Sequence, residues 1–187
     1  MNHKKARLLM AMPSLEGAIF SESIILLAQQ DEQGALGFII NKPTGANFQT
    51  ALEILKLEPI DDDSLSLLMG GPVQSDFIWV AHDSAFDGEN SYIINPEMSV
   101  SPAIDVFDPM HNHSHPELYL AGVGYAGWGP GQLETELEEG SWWMAEMDIQ
   151  MLLKTPAELR WKAAFKHIGA DTAFLIDRTD PLDPTIN

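Results

Sequence analysis

Apolar residues fall along this chain in short runs broken by glycine, proline and acidic clusters. Residues 7–12, 23–29 and 35–41 are runs of strand length, and the third (ALGFII) shows no alternation, as in a strand covered on both faces. The polar loop Asp31-Glu32-Gln33-Gly34 joins the second run to the third and predicts a hairpin. Asn47 then stands where it can cap a helix whose buried face is Phe48, Ala51, Leu52 and Leu55. Strands are predicted over 65–69 and 77–82, on either side of the forced turn Gly70-Gly71-Pro72-Val73, and again over 91–94. Residues 104–107 read as one helical turn. Near the end, Thr155-Pro156-Ala157-Glu158 has the form of a capping box. The helix it opens carries Trp161, Ala164, Phe165 and Ile168 on one face and stops at Gly169. A last strand is predicted over 173–176, and the Pro- and Asp-rich tail of 177–187 reads as frayed.

The chain is organised around residues 118–143, LYLAGVGYAGWGPGQLETELEEGSWW. The apolar run 118–125 predicts a buried strand. Gly122, Gly124, Gly127, Gly129 and Gly131 follow one another closely, with Trp128 and Pro130 among them, and such a density permits backbone approaches that a Cβ forbids. Pro130 is placed as the first helical residue, with Leu133 and Leu137 one turn apart on the buried face. Gly140 ends that helix, and Ser141-Trp142-Trp143-Met144 begins another element. Early strands joined by tight turns, with helices interspersed, predict one α+β domain and no doubly wound sheet.

Four blocks, AMPSLEGAIFSESI, GALGFIINKP, GGPV and GYAGWGPGQLETEL, stand in the order found in the AlgH/YqgE family of small bacterial proteins, which this sequence resembles over residues 7–176. The resemblance implies an α+β fold whose bifurcated mixed β-sheet curls into a pseudo-barrel with flanking helices. It implies no catalytic residues. The family takes its name from a suggested role in regulating alginate production, so the resemblance also implies a transcriptional regulator acting through protein contacts.

The 187 residues are 45% hydrophobic and 20% charged, enough for the core of one globular domain. With no cysteine, disulfide and thiolate chemistry are excluded. The basic start is cut by Pro13 and Glu16 before it could form a secretory apolar segment, and no run approaches the ~18 apolar residues of a membrane span. These features read as a cytoplasmic protein with no membrane partner. Net charge is -18, and the whole excess lies mid-chain: from Lys56 to Lys154 there is no other Lys or Arg, against 18 Asp and Glu. Such a surface repels a phosphate backbone, so no direct nucleic-acid partner is expected. A basic protein partner is.

The candidate chemistry is sparse. His111, His113 and His115 alternate along an extended segment beside Asp108 and are weak metal candidates; no metal and no cofactor is expected. Ser14, Lys42 and His82 sit in no nucleophile elbow. Gly122, Gly124 and Gly127 fit the dinucleotide spacing, yet no nearby cation balances a pyrophosphate. In the acidic helix Glu134 suits the N-terminus, whereas Glu138 and Glu139 crowd the negative end of the dipole. The candidate binding residues are therefore Asn41, Lys42, Tyr125, Trp128, Gln132 and Glu134. Pro13, Gly70, Gly71, Pro72, Gly124 and Gly127 are read as structural turns. The leading reading is a non-enzymatic regulatory protein acting through contacts at the glycine-tryptophan corner. The alternative is a small-molecule-binding protein or enzyme with a pocket beside that corner, and a DNA-binding regulator ranks last.

Overall fold

The computed structural model describes residues 5–60, 65–84, 86, 88–107 and 116–170. His111, His113 and His115, the acidic loop 61–63 and the strand expected over 173–176 lie outside these residues. The three early runs form β1 (Lys5–Ala11), β2 (Ile24–Asp31) and β3 (Gly34–Ile39), paired antiparallel in order, with Asp31 opposite Gly34 at the hairpin. β4 (Pro43–Asn47) leads into α1 (Phe48–Leu55), where Asn47 Oδ1 accepts the Thr50 N–H at 3.1 Å. β5 (Ser66–Met69) and β6 (Val73–Asp83) follow, then the hairpin of β7 (Tyr92–Asn95) and β8 (Met98–Pro102), and the short α2 (Ala103–Val106). β9 (Leu118–Trp128), α3 (Gln132–Glu138), β10 (Trp142–Asp148), α4 (Ile149–Leu153), a 3-10 turn (Ala157–Leu159) and α5 (Arg160–His167) complete the described chain.

The strands make one mixed sheet in the order β10-β1-β2-β3-β9-β6-β8-β7, with β5 parallel to β9 and β4 beside β5. The sheet forks at β9. Its first half lies between β5 and β6, and its second half pairs with β3 on one side and Val73 on the other. β7 packs back towards β1 and β2, and its Tyr92 ring meets Phe38 of β3 at 6.0 Å. The result is an α+β domain curled into an open pseudo-barrel.

Gly124 makes the fork possible. Its φ of +69° is a conformation that side chains with a Cβ avoid, and the β6 ladder slips there, from Val73 opposite Tyr125 to Ile78 opposite Val123. The slip changes the phase of the strand. Ala121 and Val123 pack with α1 and α2, whereas Tyr125 joins the large interior cluster and Ala126 and Trp128 a third one. The Gly70-Gly71 turn lies directly against the kink: a Cβ on Gly70 would collide with the Gly124 carbonyl, and one on Gly71 with the Tyr125 carbonyl. Trp79 fills the space beneath, donating its indole N–H to the Gly124 carbonyl at 2.8 Å.

Several expectations need correction. Pro130 is not helical, because Gly131 in the left-handed region separates it from α3, which starts at Gln132. Thr155 forms no capping box; its hydroxyl donates backwards to the Met151 carbonyl at 3.2 Å, and Pro156 caps the 3-10 turn without a side-chain bond. Gly127 needs no special backbone, since a Cβ there would meet only the Tyr125 ring at 3.5 Å, an ordinary contact. Three elements gave no readable period. β4 (PTGAN) is polar and largely exposed, β8 buries Ser99 and Ser101 where apolar residues signal a strand, and α4 has five residues.

Candidate functional site

The corner after β9 is built on one carboxylate. Trp128 ends the strand, Trp142 begins β10, and their rings meet edge to face at 6.0 Å. Both indole N–H groups donate to Oε2 of Glu136 on α3, at 2.9 Å and 2.8 Å. Gln132, one turn earlier, donates its amide to Oε1 of Glu136 at 2.8 Å and accepts the Gly129 N–H at 3.0 Å. Leu133 and Leu137 carry the apolar side of α3, onto the cluster of Leu9, Ile25, Ile39 and Ala126. Trp128 is 7% exposed: its ring is part of the core.

A cleft of about 350 Å3 opens beside this anchor, walled by Leu15, Phe20, Trp128 and Trp142 and edged by Gln132, Glu136, Glu139 and Ser141. Phe20 stands edge-on to Trp142 at 5.8 Å. Glu134 points away from the cleft. It accepts from Gln30 Nε2 at 2.7 Å, and Arg7 in turn donates to Gln30 at 3.2 Å. The Gln30 bond holds the Glu134 carboxyl below its usual range.

The sequence profile of the AlgH-like family matches residues 8–173. The chain belongs to the AlgH-like family. A UPF0301 protein of Thioalkalivibrio sulfidiphilus is 34% identical over 89% of this chain and 90% of its own, and one of Xanthomonas oryzae is 37% identical over 91% and 92%. The solution structure of the AlgH protein from Pseudomonas aeruginosa matches with a TM-score of 0.74 at 34% identity, covering 91% of each chain. A crystal structure of a Corynebacterium diphtheriae protein shares the fold, with a TM-score of 0.66 at 18% identity over 87% of this chain and 85% of its own.

Two of the remaining candidates of this AlgH-like protein, Asn41 and Lys42, bond to the loop that lines one side of the cleft. Asn41 is buried and bonded, accepting the Ile24 N–H and donating to the Glu22 carbonyl, each at 2.8 Å. Lys42 donates its ammonium to the Ser21 carbonyl at 2.6 Å. Together they pin the loop that starts at Pro13 and carries Leu15 and Phe20 into the cleft. Tyr125 is elsewhere, half-buried in the interior cluster with its ring edge-on to Phe77 at 6.2 Å. Gly70, Gly71, Pro72 and Gly124 belong to the fork and not to the cleft.

The other motifs do not assemble. Ser14 lies in the turn after β1 and Lys42 is committed to Ser21. His82 is buried in β6, with Nε2 2.8 Å from Ser101 Oγ and Nδ1 2.6 Å from the Asp83 carbonyl. Gly122, Gly124 and Gly127 lie inside a paired strand and offer no phosphate loop. Among the described residues no group of three His, Asp or Glu could hold a metal, and no helix is long and apolar enough to cross a membrane. Sequence reasoning missed Glu136 and Phe20. The signal was present for Glu136: it precedes Leu137 on the buried side of α3, a costly place for a carboxylate without donors.

Proposed function

We propose that this AlgH-like protein is a non-enzymatic cytoplasmic regulator that works by contact with other proteins, and that a basic side chain of the partner enters the Phe20–Trp128–Trp142 cleft. The observation that carries this reading is the pairing of an aromatic wall with carboxylates at its edge. A guanidinium or ammonium there would gain cation–π attraction from the rings and charge pairing with Glu139. Glu138 and Glu139 are exposed at the end of α3, where they oppose the helix dipole and cost on the order of 0.3 kcal/mol each. A cationic partner offsets that cost. The same charge disfavours duplex DNA, and transcriptional effects would then pass through a protein intermediary.

The cleft's volume favours a second reading, a small cationic metabolite in the same place, because ligand pockets begin at about 300 Å3. One experiment separates the two. The protein is used as bait, its recovered proteins and small molecules are identified by mass spectrometry, and each is titrated against the parent and against Glu138→Lys with Glu139→Lys. Weakened binding of a purified protein partner by the charge-reversed variant supports the first reading. Undiminished binding of every recovered protein sinks it.

A further inference from the structure

Among the described residues the fold buries one guanidinium, and its hydrogen bonds go to backbone carbonyls. Arg160 begins α5 and is 7% exposed. Its Nε donates to the carbonyls of Leu152 and Thr155 at 3.0 and 3.1 Å, and Nη1 donates to the Ile40 carbonyl. These bonds explain part of the residue: they add a donor to the carbonyls at and after the end of α4 and tie α5 to the residue after β3. They leave Nη2 without a hydrogen bond among the described residues. Among the described residues no fully buried side-chain nitrogen lacks a partner, so Nη2 keeps accessible surface. Arg160 lines a cavity of about 330 Å3, whose walls include Pro43, Leu65, Leu68, Tyr119 and Ala157.

We propose that this cavity is an anion site for a compact monocarboxylate with an apolar or aromatic body. The carboxylate would sit on the free edge of the Arg160 guanidinium and the body against the side chains of Leu65, Leu68, Tyr119 and Ala157. A guanidinium already largely buried and fixed by three carbonyls loses little further freedom on binding, and its planar edge matches a carboxylate. Burial also pulls the Arg160 pKa down, partly opposed by Glu158; a bound anion offsets that penalty by favouring the charged guanidinium. One guanidinium in a mixed lining, with Ser66 and Glu158 beside the leucines and prolines, suits a single negative charge, whereas a phosphate dianion would be left half-neutralised. Glu158, exposed at the rim, opposes entry of anions and sets a further expectation below. The inference is independent of the tryptophan cleft and its partner.

The test titrates the full chain calorimetrically with benzoate and hexanoate. Benzamide is the neutral control of matching shape, and inorganic phosphate the dianion control. Saturable one-to-one binding of at least one carboxylate is expected, with both controls weaker by about tenfold or more. Ala157→Phe narrows the cavity without touching the Arg160 bonds and should abolish binding with the circular dichroism unchanged. If that variant misfolds, Ser66→Phe from the exposed side of β5 makes the same test. Glu158→Gln should tighten carboxylate binding. No saturable carboxylate binding, equal binding of benzamide or phosphate, or full binding by a folded cavity-narrowed variant overturns the proposal.

Discussion

Trp128 and Trp142 share a single acceptor: both indole N–H groups end on Oε2 of Glu136, at 2.9 and 2.8 Å. The carboxylate therefore locks α3 across the junction of β9 and β10. Glu136→Ala leaves two indoles without their partner and should cost about 2–4 kcal/mol. Trp128→Ala should cost about 3–5 kcal/mol, as truncation of a buried aromatic does. Urea denaturation followed by far-UV circular dichroism measures both. A Glu136→Ala loss below about 1 kcal/mol would mean that water replaces the carboxylate there.

Acid should weaken the protein partly through exposed carboxylates. Glu134 is held below its ordinary 4.5 by Gln30, and Asp31 below its ordinary 3.8 by Gln29 and then the Gln33 N–H. A carboxyl whose folded pKa is depressed adds stability above its unfolded value and loses it as pH falls through the folded one. The contribution of this pair is thus complete above about pH 5 and disappears on acidification below those ordinary values. Gln30→Ala should move the Glu134 carboxyl signal in an NMR titration to higher pH and leave Asp31 where it is. Identical Glu134 titration in both proteins would remove Gln30 as the cause.

Two neighbouring glycines should behave oppositely. Gly124→Ala meets both a positive φ and the Gly71 carbonyl, and should cost at least about 2–3 kcal/mol. Gly127→Ala has ordinary space and should stay within about 1 kcal/mol of the parent. Thermal melts of the two variants decide it, and equal losses would mean that the kink is not local to Gly124.

Asn41→Ala should free the loop ahead of β2. The Ile24 N–H and the part-buried Glu22 carbonyl would lose their partner, at about 1–3 kcal/mol, most of it from the buried Ile24 N–H. Amide exchange at Ile24 should accelerate more than at Leu26, which keeps its place in the ladder opposite Phe38. Uniform acceleration along β2 would point to global destabilisation instead.

Where burial follows one period, the sequence was readable: the hairpin of β2 and β3, the Asn47 cap, and the α5 face of Trp161, Ala164 and Phe165 all lie where the pattern puts them. Legibility failed where polar groups are buried with partners that come from far along the chain. Ser101 hides a strand because its hydroxyl meets His82, and Arg160 hides a cavity wall because its acceptors lie just after β3 and at the end of α4. The four motif blocks marked the right region for a spatial reason. The loop of the first and the Asn41-Lys42 pair of the second meet at the cleft, while the Gly70-Gly71 turn of the third abuts Gly124 in the fourth. Their sequence could not show that one carboxylate joins the two tryptophans.

The fork at β9 and the closure of β1 on β10 also set the order in which a ribosome can deliver this domain. β1 spans residues 5–11, and its outer partner spans 142–148. At about 5–20 residues per second, the nascent chain holds its first strands for roughly 7–30 s before that partner is synthesised. β3 likewise waits for residues 126–128 of β9. The β1–β3 meander can pair within itself meanwhile, but both of its flanks and the faces under Trp128 and Trp161 remain wet. Pairings so distant along the chain make for slow closure. A chain arrested before Trp128 should consequently bind cellular holdases, and release should follow only once β10 has left the exit tunnel.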